Sequence, residues 1–184
     1  MKVVLLTGNG RRHRRFAAGV PHLDHIVDNG IINKDAPRVM KLKPDVVFVY
    51  GTSKLGPAVT QAAPYVLNFH GGDPERYRGL DSHLWSLYHG DYDALQVTLH
   101  HVDDELDTGD IVFQTQLELP SKASLECLQA ETANVCIRLA HLALAGIADG
   151  FLPRRPQRSK GRYYGRMPDE LREGCEARLR QLAS

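Results

Sequence analysis

Three short apolar runs, set between longer amphipathic stretches, confine this chain to a layered α/β fold. Val3 to Leu6 runs into Thr7-Gly8-Asn9-Gly10, Asp45 to Tyr50 reads Asp-Val-Val-Phe-Val-Tyr, and Tyr65 to Phe69 is the third. A strand that is apolar on both faces needs cover on both, which a parallel sheet between helical layers provides. Arg11 to Gly19 is the expected first crossover helix, stopped by Gly19 and Pro21, and Leu23 to Val27 is a weak strand. Asn33 is placed to cap a short helix through Lys41. Ser53 to Ala63 reads as a helix whose first turns Pro57 weakens.

The pattern changes after His70. A loop rich in Gly, Asp and Pro over 71–81 leads to a helix over Ser82 to His89. Gln96 to Val102 and Ile111 to Leu119 alternate polar and apolar residues across a short link, which predicts an antiparallel hairpin. The spacing of Leu125, Leu128, Val135, Leu139 and Leu142 predicts one long core helix from Ser124, its N-cap, to Ala148, with Gly150 just beyond. Leu171, Cys175, Leu179 and Leu182 mark a terminal amphipathic helix whose stripe is available to pair with a twofold mate, making a homodimer an open expectation. The expected division is a domain over 1–150 followed by a basic extension over 151–184.

A chain of 184 residues, 42% hydrophobic, suffices for one core without staples. A net charge of +1 argues against a surface built as a whole for nucleic acid. Cys127, Cys136 and Cys175 form no CxxC pair and are odd in number, so they read as reduced thiols. His70, His83 and His100-His101 lack a ligand spacing, and no metal is expected. Lys2 to Leu6 is too short for a signal-peptide core and no apolar stretch reaches membrane-spanning length. The expectation is a cytoplasmic protein without a membrane partner.

Asn68 and His70 stand two apart at the end of the third run, so they share one face at the carboxyl edge of the sheet, where open α/β folds gather reactive groups. Glu105-Leu106-Asp107-Thr108-Gly109-Asp110 lies in the hairpin link, which can bring Asp107 to the same place. An amide, an imidazole and a carboxylate around one pocket suffice for acyl transfer to an amine. Taken alone, Asn-x-His is better explained by turn capping and a hydrogen-bonded core histidine.

The longer string changes that weighting. Asn68-Phe69-His70-Gly71-Gly72, Tyr77-Arg78-Gly79-Leu80, Val97-Thr98-Leu99-His100 and Glu105 to Val112 together resemble the formyltetrahydrofolate-dependent formyltransferases. The resemblance is strong from Asp45 to Gln114 and weak outside. It implies a single Rossmann-like domain with a mostly parallel sheet, an antiparallel hairpin near the active site and a long C-terminal helix. It also implies N10-formyltetrahydrofolate as co-substrate. Members act on glycinamide ribonucleotide, methionyl-tRNA, nucleotide-linked amino sugars and some amino acids or peptides.

The same resemblance maps Asn68, His70 and Asp107 onto the family's catalytic Asn, His and Asp. It maps Gly51, Thr52, Ser53, Lys54 and Leu55, with Val102, Asp103, Asp104, Glu105 and Leu106, onto the walls that hold the pterin ring. On that mapping Asn68 and protonated His70 donate to the formyl oxygen as negative charge develops there. Asp107 favours the charged imidazole and accepts the amine's proton, directly or through water. The leading acceptor is a small amine: an amino sugar, nucleotide-linked or free, or an amino acid or peptide. Glycinamide ribonucleotide formylation and a non-catalytic partner protein on the same fold are the alternatives.

Gly8-Asn9-Gly10 resembles the family's glycine loop, and N–H groups at a helix start suit an anion. The run that follows, Arg11-Arg12-His13-Arg14-Arg15, fits either a phosphate on the acceptor or a solvated helix face. Arg78 and His83 are expected on the acceptor side, because the 71–81 loop leaves the strand end that carries His70. Arg154, Arg155, Arg158, Lys160, Arg162 and Arg166, with Tyr163-Tyr164, read first as a tail wrapping the domain or a partner subunit, and second as a contact for RNA or a base. Trp85 reads as core. The stretch before Asp45 is shorter than the family pattern, so its strand and helix are expected to be abbreviated or lost. At this length, neither the second domain of a methionyl-tRNA enzyme nor the regulatory domain of the deformylase relatives is expected.

Overall fold

The computed structural model describes residues 1–28 and 36–182; Asn33, the expected cap, lies outside them. The first half alternates β1 (Val3–Thr7), α1 (Arg11–Gly19), β2 (Leu23–Asp28), α2 (Ala36–Leu42), β3 (Val46–Tyr50), α3 (Pro57–Thr60) and β4 (Tyr65–His70). Strand β5 (Tyr77–Gly79), helix α4 (Ser82–His89), β6 (Gln96–His101) and β7 (Ile111–Gln116) follow, then α5 (Leu125–Ala148), β8 (Arg162–Tyr164) and α6 (Asp169–Gln181). Six strands form one sheet in the order β2-β1-β3-β4-β6-β7, while β5 and β8 pair apart from it. The four N-terminal strands are parallel; β6 runs antiparallel to both β4 and β7. The short second strand and its helix are thus retained.

Alternation along the buried strands sorts the core into two layers. Val3, Leu5, Phe48, Leu67 and Phe69 pack with Phe16 of α1, Leu87 of α4, Val135 of α5 and Leu179 of α6. Val4, Leu6, Val47, Val49 and Val66 pack with Val39 of α2 and Val59 of α3. Each of these side chains stabilises the fold by roughly 1.5–3 kcal/mol through removal from water. Helix α5 starts where expected, the Ser124 hydroxyl accepting from the Cys127 N–H at 3.1 Å.

Two expectations are corrected. The helix read over Ser53 to Ala63 shrinks to Pro57–Thr60, because proline disfavours helical backbone at Gly56 before it and begins a helix as its first residue. Residues 51–56 are left as an extended loop. The Leu171–Leu182 stripe is not a surface for a second copy: Cys175 and Leu179 are buried, and the Cys175 thiol donates to the Leu84 carbonyl of α4 at 3.3 Å. Trp85 is half-buried; its indole N–H donates to the Gly165 carbonyl at 2.8 Å and its ring stacks on Tyr164.

The basic segment over 153–166 straps across the domain. Strand β8 pairs in parallel with β5, and Arg155 bridges to Ile111 of β7. Three of its cations pair with carboxylates earlier in the chain: Arg154 with Asp110 at 2.5 Å, Arg155 with Glu75 at 2.9 Å and Lys160 with Glu105. No described helix is long and apolar enough to cross a membrane.

Candidate functional site

Four side chains from three segments meet at the carboxyl end of β4. Register fixes the first three: Asn68 and His70 lie two apart on β4, and antiparallel pairing sets His100 of β6 opposite Asn68. The Asn68 amide nitrogen lies 3.1 Å from both Asp107 Oδ1 and His100 Nε2. His70 Nδ1 is 3.5 Å from Asp107 Oδ2, and its Nε2 is 2.7 Å from the Tyr77 carbonyl. A carbonyl can only accept, so the His70 proton sits on Nε2; by the same logic the His100 proton sits on Nδ1, 2.7 Å from the His101 carbonyl. His70, His100 and Asp107 are buried and Asn68 is half-buried.

Asp107 reaches this point on a strained turn. Its φ is +56°, a left-handed conformation that aspartate tolerates better than most residues. Gly109, two residues on, passes so close to the His101 backbone that a Cβ there would collide with the His101 carbonyl. The Gly79 N–H donates to Asp107 Oδ2 at 2.8 Å. Burial pushes the Asp107 carboxyl up, but the facing His70, the contact with His100 and the Gly79 N–H outweigh it and hold it well below the usual carboxylate range.

A cavity of about 490 Å³ opens over these groups. Gly51, Thr52, Ser53, Lys54 and Leu55 form one wall, and Val102, Asp103, Glu105 and Leu106 another; Asp104 instead faces a shallow depression against Gln157 and Lys160. Arg12 and His83 also line the cavity. Buried His83 donates from Nε2 to the Gln96 carbonyl at 2.6 Å, and burial pulls it down to about 4. Gly8, Asn9, Gly10 and Arg11 do not line this cavity: the Gly10 N–H donates to His13 at 3.1 Å, and Arg11 pairs with Glu126 at 2.8 Å. Arg78 is spent on backbone, donating to the carbonyls of Gly161 at 2.6 Å and Leu106 at 2.9 Å.

Sequence reasoning missed His100 and Gln157. The alternation of β6 puts His100 on the face of Thr98, but only the antiparallel register sets it against Asn68. Gln157, from the strap, donates to the carbonyls of Asp107 at 3.0 Å and Gly109 at 2.9 Å and so fixes the Asp107 turn from outside. No local signal marks it. Among the described residues no cluster of His, Cys, Asp and Glu could hold a metal ion.

A profile of the formyl transferase family matches residues 31–140. The methionyl-tRNA formyltransferase of Syntrophus aciditrophicus (strain SB) is 29% identical over 119 residues, covering 64% of this chain and 38% of the relative. The chain therefore spans less than half of that relative's length. Among solved structures, a 4-N formyltransferase from Francisella tularensis gives a TM-score of 0.71 at 16% identity, over 96% of this chain and 87% of that one. The formyltransferase PseJ from Anoxybacillus kamchatkensis, in complex with UDP-4,6-dideoxy-4-formamido-L-AltNAc and tetrahydrofolate, gives 0.64 at 22% identity, over 89% and 85%. These two likenesses show the shared fold.

Proposed function

The chain belongs to the formyl transferase family, and on that premise we propose that it moves a formyl group from N10-formyltetrahydrofolate to the primary amine of a small acceptor. The acceptor is an amino sugar, nucleotide-linked or free, or an amino acid or peptide. The observation that carries this reading is the convergence of Asn68, His70, His100 and Asp107 under one cavity. The loops over 51–55 and 102–106 suit a flat bicyclic ring: buried Leu55 and half-buried Val102 and Leu106 supply apolar walls, and their backbone groups supply an edge to bond.

The free protein already orients the groups that the reaction needs. Both Asn68 N–H bonds are held by Asp107 and His100, and one exchanges His100 for the formyl oxygen as negative charge develops there. His70 keeps its Nε2 proton on the Tyr77 carbonyl, which suits it better as the base than as a donor to the formyl oxygen. Its Nδ1 takes the proton shed by the attacking nitrogen, the imidazolium so formed faces Asp107 Oδ2, and as the bond between the formyl carbon and N10 breaks that proton passes to N10, releasing tetrahydrofolate. Asp107 stays ionised and is a weak base; its work is electrostatic and positional.

Thermal unfolding with and without a reduced formyl-folate tests the reading directly. A ligand that binds the native state stabilises it by about 2.7 kcal/mol at a hundred times its Kd. A concentration-dependent rise in Tm is expected. An unmoved Tm at saturating ligand would refute the assignment.

A further inference from the structure

Two large apolar side chains stand where the cavity meets solvent. Of the large apolar side chains exposed among the described residues, only Leu80 and Tyr163 line the cavity, and each is 51% exposed. Both belong to the β5–β8 ribbon, which stands apart from the main sheet. Leu80 directly follows β5, its N–H donating to the Tyr164 carbonyl at 2.9 Å, and Tyr163 is the middle residue of β8. Apolar groups left uncovered beside a cavity mark a surface that a bound molecule meets.

The same ribbon bears on His70 and Asp107. The Tyr77 carbonyl holds His70 Nε2 at 2.7 Å and the Gly79 N–H donates to Asp107 Oδ2 at 2.8 Å, while the Tyr163 ring packs against Gly79 so closely that a Cβ there would come within 2.7 Å of its Cε2. Gly79 has a φ of +93°, which suits glycine alone. The charged residues that line the cavity next to Leu80 and Tyr163 answer each other: Asp81 pairs with Arg172 at 2.8 Å. The solvent edge nearest the buried His70 and Asp107 is therefore an aromatic face and an aliphatic side chain. An ordered water needs about two to four polar partners, and neither surface offers one.

Water competes with the amine for the formyl group. A base placed to take a proton from an amine takes one from water as well, and water is too small to be turned away by size. In that competing reaction the water oxygen bonds to the formyl carbon and gives a proton to His70 Nδ1. The bond from that carbon to N10 breaks, N10 takes the proton from His70, and formate leaves, its remaining acidic proton going to solvent. Excluding water from the site is what suppresses such a side reaction. We propose that Tyr163 and Leu80 decide which nucleophile receives the formyl group: with N10-formyltetrahydrofolate bound, they screen the formyl carbon from bulk water. The inference rests on the formyl-transfer reading for the identity of the co-substrate. Both side chains act on specificity and neither takes part in the proton transfers.

The test needs no acceptor. The full chain and its variants are incubated with N10-formyltetrahydrofolate alone; release of formate and tetrahydrofolate is followed beside the ligand-induced rise in Tm. The parent is expected to bind and to release little formate. Tyr163→Ala and Leu80→Ala should each raise formate release at least about tenfold with the rise in Tm retained. Tyr163→Phe, which keeps the ring, should return to the parent rate, and Tyr88→Ala, at an exposed tyrosine outside the cavity, should not depart from it. Adding His70→Ala to Tyr163→Ala should cut the release by at least about a hundredfold, because water attack uses the same base. A purely structural part for the ring would lower the Tm of the free protein and slow every reaction rather than speed this one. Rapid release by the parent, no gain in Tyr163→Ala and Leu80→Ala, a gain that Tyr163→Phe or Tyr88→Ala shares, a gain that survives the loss of His70, or loss of folate binding in Tyr163→Ala each overturns the inference. An unmoved parent Tm refutes the formyl-folate reading, and the inference falls with it; a raised Tm with hydrolysis indifferent to the variants refutes the screen and leaves formyl transfer standing.

Discussion

Asp107 is held from two sides by different chemistry. On the sheet side, Asn68, His70 and His100 surround its carboxylate with side chains fixed by β4 and β6. On the outer side, Gln157 and Arg78 hold the backbone of its turn at the carbonyls of Asp107, Gly109 and Leu106. The first set touches the atoms that would react; the second touches only peptide groups. Substitutions on the sheet side should therefore change what the site can do, and substitutions on the strap side should change how well it is held.

The sheet side offers the larger effects. Losing one oxyanion donor costs roughly 10²–10³ in rate and losing a general base roughly 10²–10⁴, so Asn68→Ala and His70→Ala are each expected to lower kcat by at least about a hundredfold while folate-induced stabilisation persists. A kcat within tenfold of the parent in either variant would remove that residue from the mechanism.

His83 tests whether the buried neutral groups of the cavity carry a pH signature. Its folded value near 4 lies below the unfolded value of 6.5, so the unfolded chain binds the proton first. The associated stability is complete above pH 6.5 and is lost as pH falls toward 4, by about 3 kcal/mol. The Asp107 contribution has the carboxylate sign: it is present above the ordinary Asp range and is lost only as pH falls below it. Denaturant titrations from pH 7 to pH 4 should show the first decline, and His83→Gln should flatten it. An unchanged slope in that variant would assign the decline to other groups.

The two sides also differ in how far they could be read from the residues alone. Val3 to Leu6, Asp45 to Tyr50 and Tyr65 to Phe69 announce strands because a local apolar run suffices to specify them. Asn68 and His70 inherit their shared face from the same run. His100 needed the β4–β6 register, and Gln157 needed the path of a strap whose bonds span long separations, such as the 80 positions between Glu75 and Arg155. No local periodicity carries that information. The over-long helix at Ser53 shows the opposite failure: propensity was read through Gly56-Pro57, and the loop it hid forms a wall of the cavity.

Gln157→Ala is the sharpest test of the strap's positional role. It removes two bonds to the Asp107 turn and no group that lines the cavity over Asn68 and His70. A fall in kcat of about tenfold with an unchanged KM for folate is expected, together with about 1–2 kcal/mol of stability. Unaltered kcat would mean that the Gly79 bond and the close packing of Gly109 hold Asp107 without help.

The smallest effects separate the strap's own anchors. Arg155 makes a bidentate bond to Glu75, whose carboxylate is half-buried and held below its usual range chiefly by that bond. Lys160 pairs with Glu105 in the open, where both side chains are more than half exposed. Fork geometry adds strength and direction in the first case, while solvent screening and side-chain entropy cancel most of the gain in the second. Arg155→Met is therefore expected to cost about 1 kcal/mol, the exposure of the guanidinium keeping it this low, and Lys160→Ala to leave the Tm where it is. Both are read from thermal unfolding at low and moderate salt. Should Lys160→Ala prove the more damaging, the strap would be held from its exposed edge at Glu105, and the ranking that places Arg155 as its principal anchor would be reversed.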